Sequence, residues 1–203
     1  MNKNRFMHEP HRVVWHDSGP FRFVSGLFAV LRRLFAHPRL LLLLLALISL
    51  GMLAFGVLYL QNIVGLKPCP MCIVQRDALI GVALFCLLAA SCRGRGWRAV
   101  WGVLALAIAG FGAFTAARQS WLQWYPPPFG ACGRDLYGMI ESFPLQRVIP
   151  MIFSGGGDCT VVDWTFLGGS IANWSFVWFI LAFAAILALL LTDPRPREIS
   201  SGI

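Results

Sequence analysis

Four long apolar stretches divide the chain, at about Leu40–Leu60, Ile73–Ser91, Ala99–Ala117 and Ala172–Leu191. Each comes close to the roughly 20 residues that a helix needs to cross about 30 Å of hydrocarbon. Charges inside them are confined to Arg76 and Asp77, near the start of the second. Backbone groups in lipid must be satisfied within their own segment, so four helices are the economical solution. The pattern predicts an all-α membrane protein, a four-transmembrane-helix bundle. About 40 residues precede the first stretch, more than the n-region of a secretory signal, so that stretch is expected to stay as an anchor. The chain then divides into an N-terminal arm (1–39), a four-helix membrane domain (40–192) and a tail (193–203).

Composition agrees with this division. Of the 203 residues, 58% are hydrophobic and 13% charged, against about a quarter charged in a soluble domain. The formal net charge of +8 raises the question of nucleic acid, and its distribution answers it. Lys3, Arg5, Arg12, Arg22, Arg32, Arg33 and Arg39 lie in the arm, Arg93, Arg95 and Arg98 after the second span, and Arg195 and Arg197 in the tail. An even number of spans puts all three on one side. On the other side Lys67, Arg76, Arg118, Arg134 and Arg147 are balanced by Asp77, Asp135, Glu141, Asp158 and Asp163. The whole excess therefore sits on one face, which marks that face and both termini as cytoplasmic and removes the case for nucleic-acid binding.

Two segments remain outside, about Gln61–Cys72 and about Ser120–Ile171. A loop as long as the second is usually functional. Pro126-Pro127-Pro128 gives it an extended start, and Gly155-Gly156-Gly157 gives it freedom near its end. The apolar run from Met139 to Phe153, broken by Pro144 and Pro150, fits short interfacial helices on the membrane surface as well as it fits the core of a small folded loop. Trp121, Trp124, Tyr125, Trp164 and Trp174 read as interfacial anchors with Trp178 a turn deeper, and Trp97 and Trp101 mark the inner interface. Gly51, Gly56, Gly102, Gly110 and Gly112 read as helix-packing positions.

The cysteines carry the chemistry. Cys86 and Cys92 fall in the second span and at its cytoplasmic end, where they serve as small apolar side chains. Cys69, Cys72, Cys132 and Cys159 all fall outside, where disulfides persist. A tetrahedral zinc site would need all four, but Cys132 and Cys159 lack knuckle spacing, and His8, His11, His16 and His37 lie on the opposite side; no metal is expected. Cys69-Pro70-Met71-Cys72 is a Cys-X-X-Cys motif, the common form of a redox-active pair. Cys72 lies at the N-terminus of the second span, where helix N–H groups favour a thiolate. Arg76, four residues on, shares its helix face and can hold a thiolate or a neighbouring oxyanion; the plainer alternative is a snorkelling arginine paired with Asp77. Two redox-capable pairs on one face suggest a relay from a soluble partner to a membrane-soluble acceptor.

These residues, with Leu122-Gln123-Trp124-Tyr125, Pro126, Pro128-Phe129, Gly157-Asp158-Cys159 and Trp164-Thr165-Phe166-Leu167-Gly168, give a chain that resembles the DsbB family over about Leu40–Leu191. These are the bacterial inner-membrane oxidases that act with a DsbA-like periplasmic thiol oxidase and a quinone. The resemblance implies a quinone-reducing protein-disulfide oxidoreductase with Cys69, Cys72, Cys132 and Cys159 as catalytic residues. Its partners would be a periplasmic DsbA-like protein and membrane lipid, and its acceptor a quinone, with ubiquinone ahead of menaquinone. It implies that a disulfide between Cys132 and Cys159 is attacked at Cys132, that freed Cys159 attacks Cys69, and that released Cys72 engages the quinone. Arg76 would hold the quinone oxygen, and Arg118 and Gln119 are further acceptor-binding candidates. Family members often have histidine where Gln119 stands; glutamine can hydrogen-bond a carbonyl but does not titrate. The arm 1–39 is longer than the resemblance leads one to expect.

Other readings stay open: a DsbB-like paralogue for one dedicated partner, or a non-enzymatic scaffold with two structural disulfides. A vitamin K epoxide reductase-like enzyme would carry its motif late in the bundle, and a transporter would show interrupted spans.

Overall fold

A computed structural model describes residues 35–126, 153 and 157–192, and one compact unit begins at His37. Four helices are long and apolar enough to cross a membrane. Helix α1 is Pro38–Ala54, continued by a π-helical segment, Phe55–Gln61. Helix α2 is Pro70–Ser91, α3 is Arg95–Trp124 and α4 is Ile171–Thr192. Each packs on its neighbour in sequence, α1 on α2, α2 on α3 and α3 on α4. Trp178 on α4 donates from Nε1 to Ser49 Oγ on α1 (3.2 Å), which ties the last helix back to the first.

The interior is built from small residues. Ala46, Ala83, Ala89, Ala105, Ala109, Ala116 and Ala182 are buried, while Leu47, Leu58, Phe114 and Leu181 face outward. In lipid there is little hydrophobic gain between helices, so close backbone approach and dispersion hold the bundle. A Cβ on Gly112 would lie 2.5 Å from the ring of Phe179, one on Gly102 3.0 Å from Leu190, and one on Gly110 3.4 Å from Phe183. These three are packing positions as expected. Gly51 meets nothing within 4 Å and Gly56 approaches only the Arg76 side chain, so they do not hold helices together; Gly81, against Ile108 at 3.0 Å, does.

Helix α3 is 30 residues long, about 45 Å, and runs past the hydrocarbon into the segment that the hydropathy pattern assigns to the outer loop. Its extra turn is held by buried Gln119, Ser120 and Leu122. It stops at Tyr125 because Pro126 disfavours helical geometry in the residue before it. The part of the loop at 127–152, with Cys132 and the expected interfacial helices, lies outside the described residues. The chain re-enters at a single helical turn, Gly157–Thr160, then forms a hairpin of β1 (Thr165–Phe166) and β2 (Gly169–Ser170), paired antiparallel. Leu167 and Gly168 both take positive φ, 49° and 80°, the geometry of a tight two-residue hairpin turn. Ser170 then caps α4, its Oγ accepting from Asn173 N–H at 3.3 Å.

The Gly112–Phe179 contact sets a test. Gly112→Ala is expected to destabilise the bundle by about 1–3 kcal/mol, because a fully buried ring must move. Gly51→Ala should be neutral or stabilising by up to about 1 kcal/mol. Thermal unfolding in detergent reads both.

Candidate functional site

The outer end of α2 begins with its own chemistry. Cys69 has extended backbone geometry and occupies the N-cap, and Pro70 follows at the first helical position, where its missing N–H costs nothing. Cys69 Sγ accepts from the Cys72 N–H at 3.3 Å, the role a serine hydroxyl plays in ordinary caps. The Cys-X-X-Cys motif is thus the helix cap itself, and the two sulfurs come to 2.7 Å.

Three elements close around this pair. Cys159, on the Gly157–Thr160 turn, is 1% exposed and joins Cys69 (5%), Met71 and Leu122 in one buried cluster, with Cys72 and Phe153 packed against it. The Cys69 thiol is pushed up from its ordinary range, first by hydrogen bonding with Cys159, then with Cys72, then by burial. From α3, Gln119 Nε2 lies 3.3 Å from both sulfurs, while its Oε1 accepts from Gln75 Nε2 at 2.6 Å and lies 3.8 Å from Cys72 Sγ. From α1, Gln61 Oε1 accepts from Arg76 Nη1 at 2.5 Å, and Gly56 O from Arg76 Nη2 at 3.2 Å. The π-helical turn holding Gly56 and Gln61 is a local distortion of a kind frequent at functional sites. Arg76 pairs with α1 and not with Asp77, which is exposed.

Beside the pair lies a cavity of about 800 Å³, lined by α1, its π segment, Cys69, Cys72, Gln75, Arg76, Gln119, Gln123 and the hairpin. Its wall is mostly apolar and aromatic. Phe55 stacks on Tyr59 with centroids 5.2 Å apart and meets Trp164 edge-on at 5.8 Å; Trp164 stacks on Phe166, and Phe166 packs on Trp174. Ser170 Oγ donates to Gln123 Oε1 at 2.6 Å, which pins the hairpin to α3. Trp164 and Trp174 line the cavity, although Trp174 is also partly outward-facing; Trp121, Trp124 and Tyr125 are exposed and take no part in the lining.

Of the expected site residues, Cys69, Cys72, Cys159, Arg76 and Gln119 converge here. Arg118 takes no part in the cavity lining; its Nε donates to Phe153 O at 3.2 Å and so fastens the returning loop to α3. Cys132 lies outside the described residues. Gln75, Gln61 and Gln123 escape a search for charges because they are neutral. A polar side chain within or at the edge of an apolar span is the signal that finds them.

The chain matches the family model for disulfide bond formation protein DsbB over residues 38–189. The disulfide bond formation protein B of Paracidovorax citrulli is 64% identical over 163 residues, which cover 80% of this chain and 93% of the relative. That of an Acidovorax species is 67% identical over 158 residues, covering 78% and 90%. That of Aromatoleum aromaticum is 54% identical over 145 residues, covering 70% and 84%.

The contact between Cys159 and Cys69 can be tested without reference to function. In a Cys72→Ser, Cys132→Ser double variant, mild oxidation should give a Cys69–Cys159 bridge, identified by peptide mapping under non-reducing conditions. Absence of that peptide would place the two sulfurs out of reach.

Proposed function

The chain belongs to the DsbB family of membrane disulfide bond formation proteins, and on that premise we propose that it reoxidises a periplasmic DsbA-like protein and passes the electrons to a membrane quinone. The observation that carries this reading is the placement of Cys159 against Cys69, beside a cavity that Cys72 also lines. A relay needs one sulfur within reach of both its neighbours, and Cys69 is that sulfur.

The sequence of exchanges balances as follows. A thiolate of the reduced partner attacks Cys132 of the Cys132–Cys159 disulfide and frees Cys159. Cys159 attacks Cys69, and the Cys69–Cys72 bond breaks with its electron pair left on Cys72. The partner's second thiol displaces Cys132 and leaves oxidised; Cys132 then recovers Cys159 and frees Cys69. Closure of Cys69–Cys72 gives up two electrons. A quinone supplies the two-electron, two-proton sink. The residues present fit one: the cavity volume lies within the about 300–1,000 Å³ usual for small-molecule sites, with an apolar wall and few polar groups. Arg76, held by Gln61 and Gly56, offers a fixed cation to a quinone oxygen. Phe55, Trp164 and Phe166 offer flat faces to a ring. The charge asymmetry supports an inner-membrane orientation with both termini cytoplasmic, and ubiquinone is the acceptor to try before menaquinone.

Purified protein mixed with a reduced DsbA-like protein and soluble ubiquinone should consume quinone, followed by its absorbance. Cys72→Ser and Cys132→Ser should abolish consumption. Arg76→Met should raise the quinone KM by about tenfold and leave the partner KM in place. A wild type that consumes neither ubiquinone nor menaquinone while its bridges stay intact would instead indicate a structural-disulfide scaffold.

A further inference from the structure

We propose that Gln119 is a catalytic hydrogen-bond donor to the exchanging sulfurs and not a ligand of the electron acceptor, and that Gln75 is the positioning residue that fixes which end of the Gln119 amide faces them. The inference rests on the relay proposed above and adds two residues to it.

Both amides are 4% exposed, and a buried amide without partners is costly. Their partners define a polarity. Gln75 Nε2 donates to Gln119 Oε1 at 2.6 Å, which leaves Gln119 Nε2 to the sulfurs. That nitrogen carries two hydrogens and has two sulfur neighbours, Cys69 and Cys72, each at 3.3 Å. The contact of Cys72 Sγ with Oε1 is longer, 3.8 Å. To turn a carbonyl oxygen toward the sulfurs, both amides would have to rotate together; rotation of Gln119 alone would set two NH₂ groups against each other.

The exchange step uses this polarity. When Cys159 attacks Cys69, one S–S bond forms and the Cys69–Cys72 bond breaks. Negative charge passes along the line of sulfurs and ends on Cys72, with no net oxidation. Gln119 presents N–H to both ends of the breaking bond, so charge arriving from Cys159 meets a donor on either sulfur. Hydrogen bonds to ionised groups are about twice as strong as neutral ones, so this donor stabilises the charged sulfur more than the resting disulfide, which is the condition for lowering a barrier. A neutral amide does not titrate and serves at any pH. Gln75 makes no hydrogen bond to either sulfur and acts only through Gln119.

The full-length protein, assayed with a reduced DsbA-like partner and ubiquinone, tests this with Gln119→Met, Gln75→Met and Gln119→His. Gln119→Met is expected to lower kcat about tenfold, with both KM values within about twofold of wild type. Gln75→Met should lower kcat in the same manner although it leaves the sulfur contacts in place. Gln119→His, which restores an N–H donor, should return kcat to within about threefold of wild type. Thermal unfolding confirms that each variant is folded; if Gln119→Met is not, Gln75→Met carries the test alone. A rise in quinone KM with kcat unchanged would assign Gln119 to the acceptor and overturn the proposal, as would an unaltered kcat in Gln75→Met. A wild type that consumes no quinone removes the relay itself, and this inference with it.

Discussion

The outer end of α2 must hold two sulfurs, two amides and a guanidinium at the edge of a hydrocarbon layer, where an unpartnered polar group is expensive. Much of the rest of the molecule answers to that constraint. The N-terminal N–H groups of a helix normally look for a side-chain oxygen or water; here the Cys72 N–H finds Cys69 Sγ. The guanidinium of Arg76 is met by a carbonyl and an amide from the π-helical end of α1. Gln75 and Gln119 satisfy each other and then the sulfurs. Apart from the Cys69 cap, these contacts run between helices, Arg76 of α2 to the end of α1 and Gln75 with the sulfurs to Gln119 of α3, so the site exists only when the bundle is closed.

Closure in turn depends on side chains that have no chemistry. Gly112 lets Phe179 of α4 lie almost on the backbone of α3, and Trp178 joins α4 to α1. Those contacts fix α3, whose length carries Gln119 above the packed alanines and on to Gln123. Gln123 receives Ser170, and Ser170 both ends the hairpin and caps α4. The hairpin side of the aromatic wall is held at two points, by Ser170 and by Trp174 Nε1, which donates to Phe166 O at 2.9 Å. Phe153 fastens the returning loop to α3: its carbonyl accepts from Arg118 Nε–H, and its ring centroid lies 5.8 Å from that of Phe114.

The frame was plain in the sequence because hydropathy over 20 residues is a strong signal, and the four spans agree with the helices to within a few residues except at the outer end of α3. There the pattern turns polar and aromatic at Ser120, and only tertiary packing of Leu122 and Ser120 keeps the chain helical to Trp124. The cysteines were legible from compartment and spacing. Arg76 was legible as a charge in an apolar run, but its partners were not, since Gly56 acts through a backbone carbonyl and Gln61 through an uncharged side chain. Sequence places Gln119 near the site as an acceptor ligand, and only geometry shows that its nitrogen meets sulfur. Arg118 shows the reverse, a charge at the site's margin that holds a loop. The hairpin carries Leu at a turn position that prefers Asn or Gly, so its turn chemistry gave no warning.

Cys69 is the centre of the relay proposed above. Its sulfur faces Cys72, Cys159, the Cys72 N–H and the Gln119 amide, and with 5% exposure it offers no surface to a soluble protein. Cys72, the other sulfur of the pair, is half-buried and lines the cavity. In the relay proposed above, a second pair would meet the soluble partner at Cys132 and Cys69 at Cys159. Cys159 packs against Cys69, and both sulfurs are buried. In that relay Cys69 is the sulfur placed to receive attack, because Cys159, Cys72 and the Gln119 amide all lie against it.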